Sequence, residues 1–285
     1  MAKLAVKRIP GNVGCEIENL DLRFLDDSSF DTIESALHEH LVAILPRQSI
    51  GPKSFLALAN RFGRPEPHVI NQFHHPVDPN ILVLSNRRND KGEPIGLADG
   101  GTYFHTDYSY LPVPARCTLL FAQEIPDGKS GTTFANQRKA YEDLDDATKA
   151  KLEGLVCRHH YGNRDNLDEA SRTAASKLND AQKAKMDWVR HPLVRKHPHT
   201  GKKSLYAVSG SSFAIEGMGD NEGRALLDDL KTHATQDKYC GTPTYKSGDV
   251  IIWDNCSLLH SAPLVDETKP RTLWRITVKE AGATL

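Results

Sequence analysis

The chain has 285 residues, a net charge of -1 and interspersed acidic and basic side chains, whereas nucleic-acid and membrane-surface binding usually need a one-signed patch. It has no apolar run of membrane-spanning length and no signal-peptide core at its N-terminus. Its five cysteines are scattered without a Cys-x-x-Cys pair, which predicts a reduced, cytoplasmic location and argues against a zinc cage or disulfide framework.

Helices are predicted mainly near the start of the chain. Ile33, Leu37 and Leu41 recur at helical spacing, and residues 55–62 form a second apolar stripe that ends at Gly63. The residues between the two helices, 41–45, read as a strand. The first part of the chain therefore predicts helix, strand and helix in that order.

Short strands dominate the rest of the chain. They are predicted over 81–84, 116–122, 249–254 and 272–278, and further helices over 136–155 and 220–235. This order predicts a mixed α+β, mainly β fold: a double-stranded β-helix (jelly-roll, cupin-like) core with helical insertions. We expect one catalytic domain over residues 1–285, with flap insertions near 85–103 and 159–200.

A candidate metal site begins at the segment Tyr103–Asp107. In an extended chain His105 and Asp107 point to the same side, and His260, which follows an apolar strand, is a candidate third ligand. Two histidines and one carboxylate suit iron(II) and leave positions open. A His-x-Asp pair alone is more often a surface pair or a hydrogen-bonded core pair, so this prediction depends on the rest of the constellation.

Two arginines lie on one face of the last strand. Alternation places Arg271 and Arg275 on the face opposite Trp274 and Ile276. That face lies either in water, on an edge strand, or in a barrel interior, where each guanidinium would need an anionic partner such as a carboxylate. The segment alone leaves both possibilities open.

Taken together, the motifs resemble those of the TauD/TfdA family of Fe(II)/2-oxoglutarate-dependent dioxygenases. The resemblance covers almost the whole chain and is carried by the following motifs, in order: Gly14–Leu22, Arg61–Gly63, His105-Thr-Asp107, Gly131-Thr-Thr133, Gly248–Asn255, His260 and Arg271-x-x-x-Arg275.

The resemblance implies a role for each matched residue. His105, Asp107 and His260 match the catalytic iron ligands. Thr133 and Arg271 match the residues that bind 2-oxoglutarate. His68 and Arg275 match substrate-binding residues of the family. Gly101 and Asn71 depart from the taurine enzymes, which carry an asparagine and an aromatic residue at these places.

The function implied is hydroxylation of a small anionic substrate, with Fe(II), 2-oxoglutarate and O2 as cofactors and succinate and CO2 as co-products. A sulfonate, a sulfate ester, an aryloxyalkanoate or a carboxylate would each fit. Relatives suggest a homo-oligomer, a dimer or tetramer. The alternative is a jelly-roll metalloprotein with non-oxidative chemistry, such as a cupin-like isomerase or hydrolase, which would need neither 2-oxoglutarate nor Arg271.

Overall fold

The structure, a computed structural model, describes residues 3–98, 100–126, 131–161 and 178–280. Its strands and helices of at least one turn have the following bounds in chain order: β1 (Ala5–Arg8), β2 (Cys15–Glu18), α1 (Asp27–His40), β3 (Val42–Leu45), α2 (Pro52–Phe62), β4 (Arg64–Glu66), β5 (His74–His75), β6 (Asp78–Ser85), β7 (Ala115–Glu124), β8 (Thr133–Asn136), α3 (Gln137–Glu142), α4 (Asp146–Leu152), β9 (Val156–His159), α5 (Asp180–Lys183), β10 (Val189–Pro192), β11 (Val194–Lys196), β12 (Lys203–Leu205), β13 (Ser212–Ile215), α6 (Asp220–Ala234), β14 (Cys240–Gly241), β15 (Val250–Asp254), β16 (Leu258–Ser261) and β17 (Thr272–Lys279).

The larger sheet has the strand order β1-β2-β3-β15-β7-β17-β6-β5, with β4 also pairing with β17. Its central strand β7 runs antiparallel to both of its neighbours, β15 and β17. β15 is buried throughout, because one face of this sheet is covered by the helices and the other by the opposing sheet. The near-continuous apolar sequence of β15 is what such two-sided burial requires.

A three-stranded sheet with the order β14-β8-β16, called the smaller sheet below, lies across an apolar core from the larger one. Phe134 and Leu258 of the smaller sheet share this core with Leu120, Trp253 and Leu273 of the larger. Two mainly antiparallel sheets packed face to face, with helices outside, are the predicted jelly-roll arrangement, and the fold prediction is confirmed; the one parallel pair joins β2 and β3 near an edge of the larger sheet.

A second apolar core lies outside the larger sheet. There Ile33 of α1 and Phe55 and Phe62 of α2 pack against Ile276 and Val278 of β17. The two faces of β17 therefore divide as predicted, and the arginine face belongs to the barrel interior because the opposite face is covered by helices. The alternative of a solvated edge strand is wrong, since β17 lies between β7 and β6.

One helix prediction differs from the structure. The helix predicted over 136–155 is divided into α3 and α4, because the Asp145 side chain accepts a hydrogen bond from the Thr148 amide and caps a new helix.

The predicted flaps are described only in part. Asp99 of the first and residues 162–177 of the second lie outside the described residues. Of the remainder, 86–103 contains an isolated backbone bridge between Arg88 and Pro94, whereas β10 of the second pairs with β9 and belongs to a sheet. Among the described residues, we find no helix long and apolar enough to cross a bilayer.

Candidate metal centre

The structure brings the three predicted ligands together. His105 and His260 are directly opposed residues of an antiparallel backbone pair: the His105 amide donates to the His260 carbonyl at 3.0 Å, and the reverse bond is 2.8 Å. Their rings lie 4.2 Å apart between centroids. Asp107 follows two residues later, and its carboxylate oxygens lie 3.6 Å from Nε2 of each histidine.

The donor atoms fit a divalent metal. A 3.6 Å separation is too long for a hydrogen bond, so the nitrogens and the carboxylate face a common space without bonding one another. Nδ1 of His105 lies 2.8 Å from the Tyr103 carbonyl, which can only accept, so Nδ1 carries the proton and Nε2 presents a lone pair to that space. Two imidazoles and one carboxylate are a ligand set suited to Fe(II).

Neighbouring side chains fix the Asp107 carboxylate. The Thr118 hydroxyl on β7 donates to Oδ2 at 2.6 Å, and the Asn255 amide donates to that hydroxyl at 2.8 Å. The Asn255 side-chain oxygen in turn accepts from the Trp253 indole at 3.2 Å. Sequence reasoning missed Thr118 and Asn255, although the Trp-Asp-Asn run that contains Asn255 was part of the recognised motif.

Arg275 contacts the same carboxylate. Its Nη2 lies 3.0 Å from Asp107 Oδ1, and both side chains are buried. Burial opposes ionisation of Asp107, but the charge of Arg275 and the neighbouring imidazoles outweigh it and hold the Asp107 pKa well below its usual value. Arg275 therefore faces the metal centre and already has an anionic partner.

A cavity of about 440 Å³, including its open mouth, adjoins the two histidines. Arg271 lines it and is only 7% exposed, and its Nε has no hydrogen-bond partner. Among the ion pairs of the described residues, none involves Arg271. A buried guanidinium without a counter-ion is costly, so this end of the cavity is built for an anion.

The structure places Thr132, and not Thr133, in this cavity. Thr133 lies on the other face of the strand, where its hydroxyl is 2.9 Å from that of Thr242. The threonine that faces the cavity is therefore the residue before the predicted Thr133. Phe134 is fully buried and opposite His260, so alternation from Phe134 back to Thr132 was the signal that could have corrected it.

His68 is close enough to Arg275 to feel its charge but is outside the set of residues that line the cavity. Its Nδ1 accepts a hydrogen bond from the Ile70 amide at 3.1 Å, so the proton sits on Nε2, which is a donor. Burial and then the charge of Arg275 lower the pKa of His68 to about 3. His68 is therefore a neutral hydrogen-bond donor at physiological pH.

Aromatic side chains surround this region. Tyr108, Tyr110 and Tyr161 pack together, with ring centroids 4.6 Å apart for the closest pair, and His68 lies 6.1 Å from Tyr108. Met186 packs against the same group. Arg275 interacts electrostatically with all three tyrosines, whose rings favour aromatic or apolar contacts.

Asn71, where the taurine enzymes carry an aromatic residue, has a hydrogen-bond partner in this structure. Gln182 of α5 donates to the Val69 carbonyl at 2.9 Å and lies 3.3 Å from the Asn71 side-chain oxygen. The amide of Asn71 thus anchors the segment around α5 beside His68, a contact that an aromatic residue at this place would not make.

A second cluster, formed by His197, Asp254 and Cys256, also has the spacing of a metal site. Its hydrogen bonds argue against that use. Nδ1 of His197 accepts from two backbone amides, so its Nε2 carries the proton that it donates to Asp254 at 3.0 Å. With no lone pair of His197 facing the carboxylate, the cluster is a satisfied buried hydrogen-bond network.

Gly101 leaves no room for a side chain beside His105. Its φ is +80°, and an added Cβ would lie 2.5 Å from the His105 Cε1 atom. We expect Gly101→Ala to displace this ring and weaken Mn(II) binding about ten- to hundredfold, as other changes around metal ligands do. Titration with Mn(II) measures the effect.

Gly92→Ala is the matched control for this experiment. Gly92 lies in the same connection, has a φ of +78° and has no atom within 4 Å of an added Cβ. It carries the same backbone strain without the collision, so Mn(II) binding should be unchanged. Equal losses in both variants would contradict the role assigned to the contact with His105.

Comparison with known proteins extends over nearly the whole chain. The family model described as "Taurine catabolism dioxygenase TauD, TfdA family" matches residues 5–277. The (S)-phenoxypropionate/alpha-ketoglutarate-dioxygenase of Sphingobium herbicidovorans is 29% identical, over 92% of this chain and 90% of that protein. Pentalenolactone F synthase of Streptomyces arenae is 28% identical, over 88% and 87%. The crystal structure of AAD-2 in complex with Mn(II) and N-oxalylglycine has a TM-score of 0.79 and 30% identity, over 100% of both chains.

Proposed function

The chain belongs to the TauD/TfdA family of Fe(II)/2-oxoglutarate-dependent dioxygenases, and we propose which of its residues carry the reaction and what substrate it accepts. It is an oxidoreductase that uses Fe(II), 2-oxoglutarate and O2. The observation that carries the residue assignment is the position of an unpaired, buried Arg271 in the same cavity as His105 and His260.

We assign the metal to His105, Asp107 and His260. Bound there, Fe(II) supplies the oxygen activation and oxidation that no protein side chain provides. Asp107 is ionised without help from the metal, and His105 presents Nε2 because Tyr103 holds the Nδ1 proton. The residues around the site thus keep the Asp107 carboxylate and His105 Nε2 unprotonated, as metal binding requires.

We assign one carboxylate of 2-oxoglutarate to Arg271 and Thr132. The guanidinium can donate two parallel hydrogen bonds to a carboxylate, and Thr132 replaces Thr133 because it lines the cavity. Leu84, Leu97 and Leu120 line the same cavity. Their apolar surface excludes water from the bound carboxylate and strengthens its attraction to Arg271.

The substrate side consists of Arg275, His68 and the tyrosines. Arg275 supplies a positive charge and neutral His68 a hydrogen-bond donor, which together suit a small anionic group. Tyr108 and Tyr161 add aromatic surface. Of the four predicted classes this combination favours an aryloxyalkanoate, in line with the phenoxypropionate enzyme among the relatives.

Several predictions from the sequence stand as proposals. These are a cytoplasmic location, a single catalytic domain with two flaps, and a homo-oligomer. The five free cysteines fit a reducing compartment. The non-oxidative alternative finds no support, because it assigns no role to the buried charge of Arg271.

The test is succinate formation from 2-oxoglutarate with Fe(II), screened over phenoxypropionate, an alkyl sulfonate, an alkyl sulfate and a simple carboxylate. We expect phenoxypropionate to give the largest rate above the uncoupled background. His105→Ala should abolish turnover, because two remaining ligands hold the metal poorly.

His75→Ala serves as the control for that loss. His75 is also half-buried, but its ring packs against Trp274 and its Nδ1 accepts from the Val77 amide. This variant should keep the wild-type rate. Full activity of His105→Ala, or turnover that does not require 2-oxoglutarate, would exclude the proposed function.

A further inference from the structure

We propose that Arg275 is a counter-ion shared by the metal centre and the substrate, so that an anionic substrate strengthens metal binding. The inference rests on the proposed function, because it takes the triad as the metal site and Arg275 as the anchor of the substrate. It adds an energetic coupling between metal binding and substrate binding, which neither the metal site nor the substrate site requires by itself.

The coupling begins with one oxygen atom. Asp107 Oδ1 lies 3.0 Å from Arg275 Nη2 and 3.6 Å from His105 Nε2. The guanidinium and a metal held by the triad are therefore both attracted to the Asp107 carboxylate, and the two cations repel one another. Arg275 cannot move into water, because its side chain is only 12% exposed and its Nε donates to Thr277 at 3.3 Å.

The charges of the described residues at the site do not balance. Arg271 and Arg275 are two cations against the single anion of Asp107, and His68 is neutral. A divalent metal adds two positive charges, and 2-oxoglutarate brings two negative ones. One positive charge then remains in a buried site, where an uncompensated charge is costly.

A singly charged anion beside Arg275 restores the balance when 2-oxoglutarate is bound, and reduces the excess positive charge when it is not. The anion pairs with the Arg275 guanidinium. Arg275 then competes less with the metal for the Asp107 carboxylate and repels the metal less. Because coupling between two sites is reciprocal, a substrate monoanion should tighten metal binding by the same factor by which the metal tightens substrate binding, roughly tenfold for a typical coupling. A neutral molecule of the same shape should not do so.

The first test measures the Mn(II) affinity of the 285-residue chain from the electron paramagnetic resonance signal of free Mn(II), without 2-oxoglutarate. Phenoxyacetate is the anionic probe and phenoxyacetamide its neutral counterpart. We expect phenoxyacetate to lower the Mn(II) dissociation constant roughly tenfold and phenoxyacetamide to leave it unchanged. No effect of bound phenoxyacetate would overturn the proposal.

The second test uses the two arginines as a matched pair. Arg275→Gln and Arg271→Gln each remove one buried positive charge, but only Arg275 contacts Asp107. Arg275→Gln should bind Mn(II) more tightly than the wild type without any probe and should lose the response to phenoxyacetate. Arg271→Gln should keep that response and show the smaller change in Mn(II) affinity.

The outcomes separate this inference from the proposed function. If phenoxyacetate does not bind, the probe-free comparison still decides, because equal Mn(II) affinity in Arg275→Gln and wild type would overturn the coupling. The dioxygenase assignment survives that result as long as succinate formation depends on His105. If His105→Ala still binds Mn(II) as the wild type does, the metal site itself is misplaced and the proposed function fails.

Discussion

Arg271→Leu is expected to raise the KM for 2-oxoglutarate about a hundredfold, because removal of one partner from a buried, hydrogen-bonded charge pair commonly costs several kcal/mol. Since Arg271 has no counter-ion among the described residues, the same change removes an uncompensated charge from the ligand-free protein. Its melting temperature should therefore stay the same or rise. Steady-state kinetics and thermal unfolding measure the two effects.

Two further variants sharpen this expectation. Arg271→Lys keeps the charge but loses the two parallel hydrogen bonds of the guanidinium, so its KM should lie between those of the wild type and the leucine variant. Arg275→Leu should change the KM for 2-oxoglutarate far less. An unchanged KM in Arg271→Leu, or equal increases at both arginines, would show that Arg271 does not bind the cosubstrate.

Asp107→Ala is expected to abolish turnover and to lower the free energy of unfolding by about 3 to 5 kcal/mol, the usual loss when one member of a buried ion pair is removed. The destabilisation arises because Arg275 stays buried without its partner. The double variant Asp107→Ala/Arg275→Met should recover most of the stability and none of the activity. Denaturant unfolding of the metal-free proteins measures this cycle.

The pH dependence provides an independent check on the same pair. The pKa of Asp107 is lower in the folded protein than the value of about 3.9 typical of an unfolded chain. The pair therefore contributes fully above that unfolded value and loses its contribution as the pH falls through the folded pKa. The stability gap between wild type and Asp107→Ala should be constant near neutral pH and shrink in acid. A gap that instead widens in acid would contradict the assignment.

The sequence predicted the features that depend on local alternation. His105 and Asp107 share a side because they are two residues apart in an extended segment, and the two faces of β17 follow from the same rule. Alternation also indicates that Thr132 faces the barrel interior, because it lies two residues before the buried Phe134. Thr133 lies on the opposite face of the strand, so the strand register, and not the motif alone, determines which threonine faces the cavity.

Other features depend on strand pairing and could not be read locally. Thr118 of β7 reaches Asp107 because the backbone pair of His105 with His260 holds the segment of Asp107 beside β7, and nothing in the sequence around Thr118 indicates that neighbour. The contact between Arg275 and Asp107 has the same origin: the sequence predicted that a buried arginine needs an anion, but not that the anion is a metal ligand. The close approach of Gly101 to His105 likewise depends on how the loop packs.

The backbone pairing of His105 with His260 has a consequence for how the protein is made. The two ligands come from distant parts of the chain and meet only when β16 joins the smaller sheet. During synthesis, a chain in which β16 has not yet formed therefore cannot complete the metal site that we propose. Complete coordination of a metal by this set of residues therefore requires that the smaller sheet has formed.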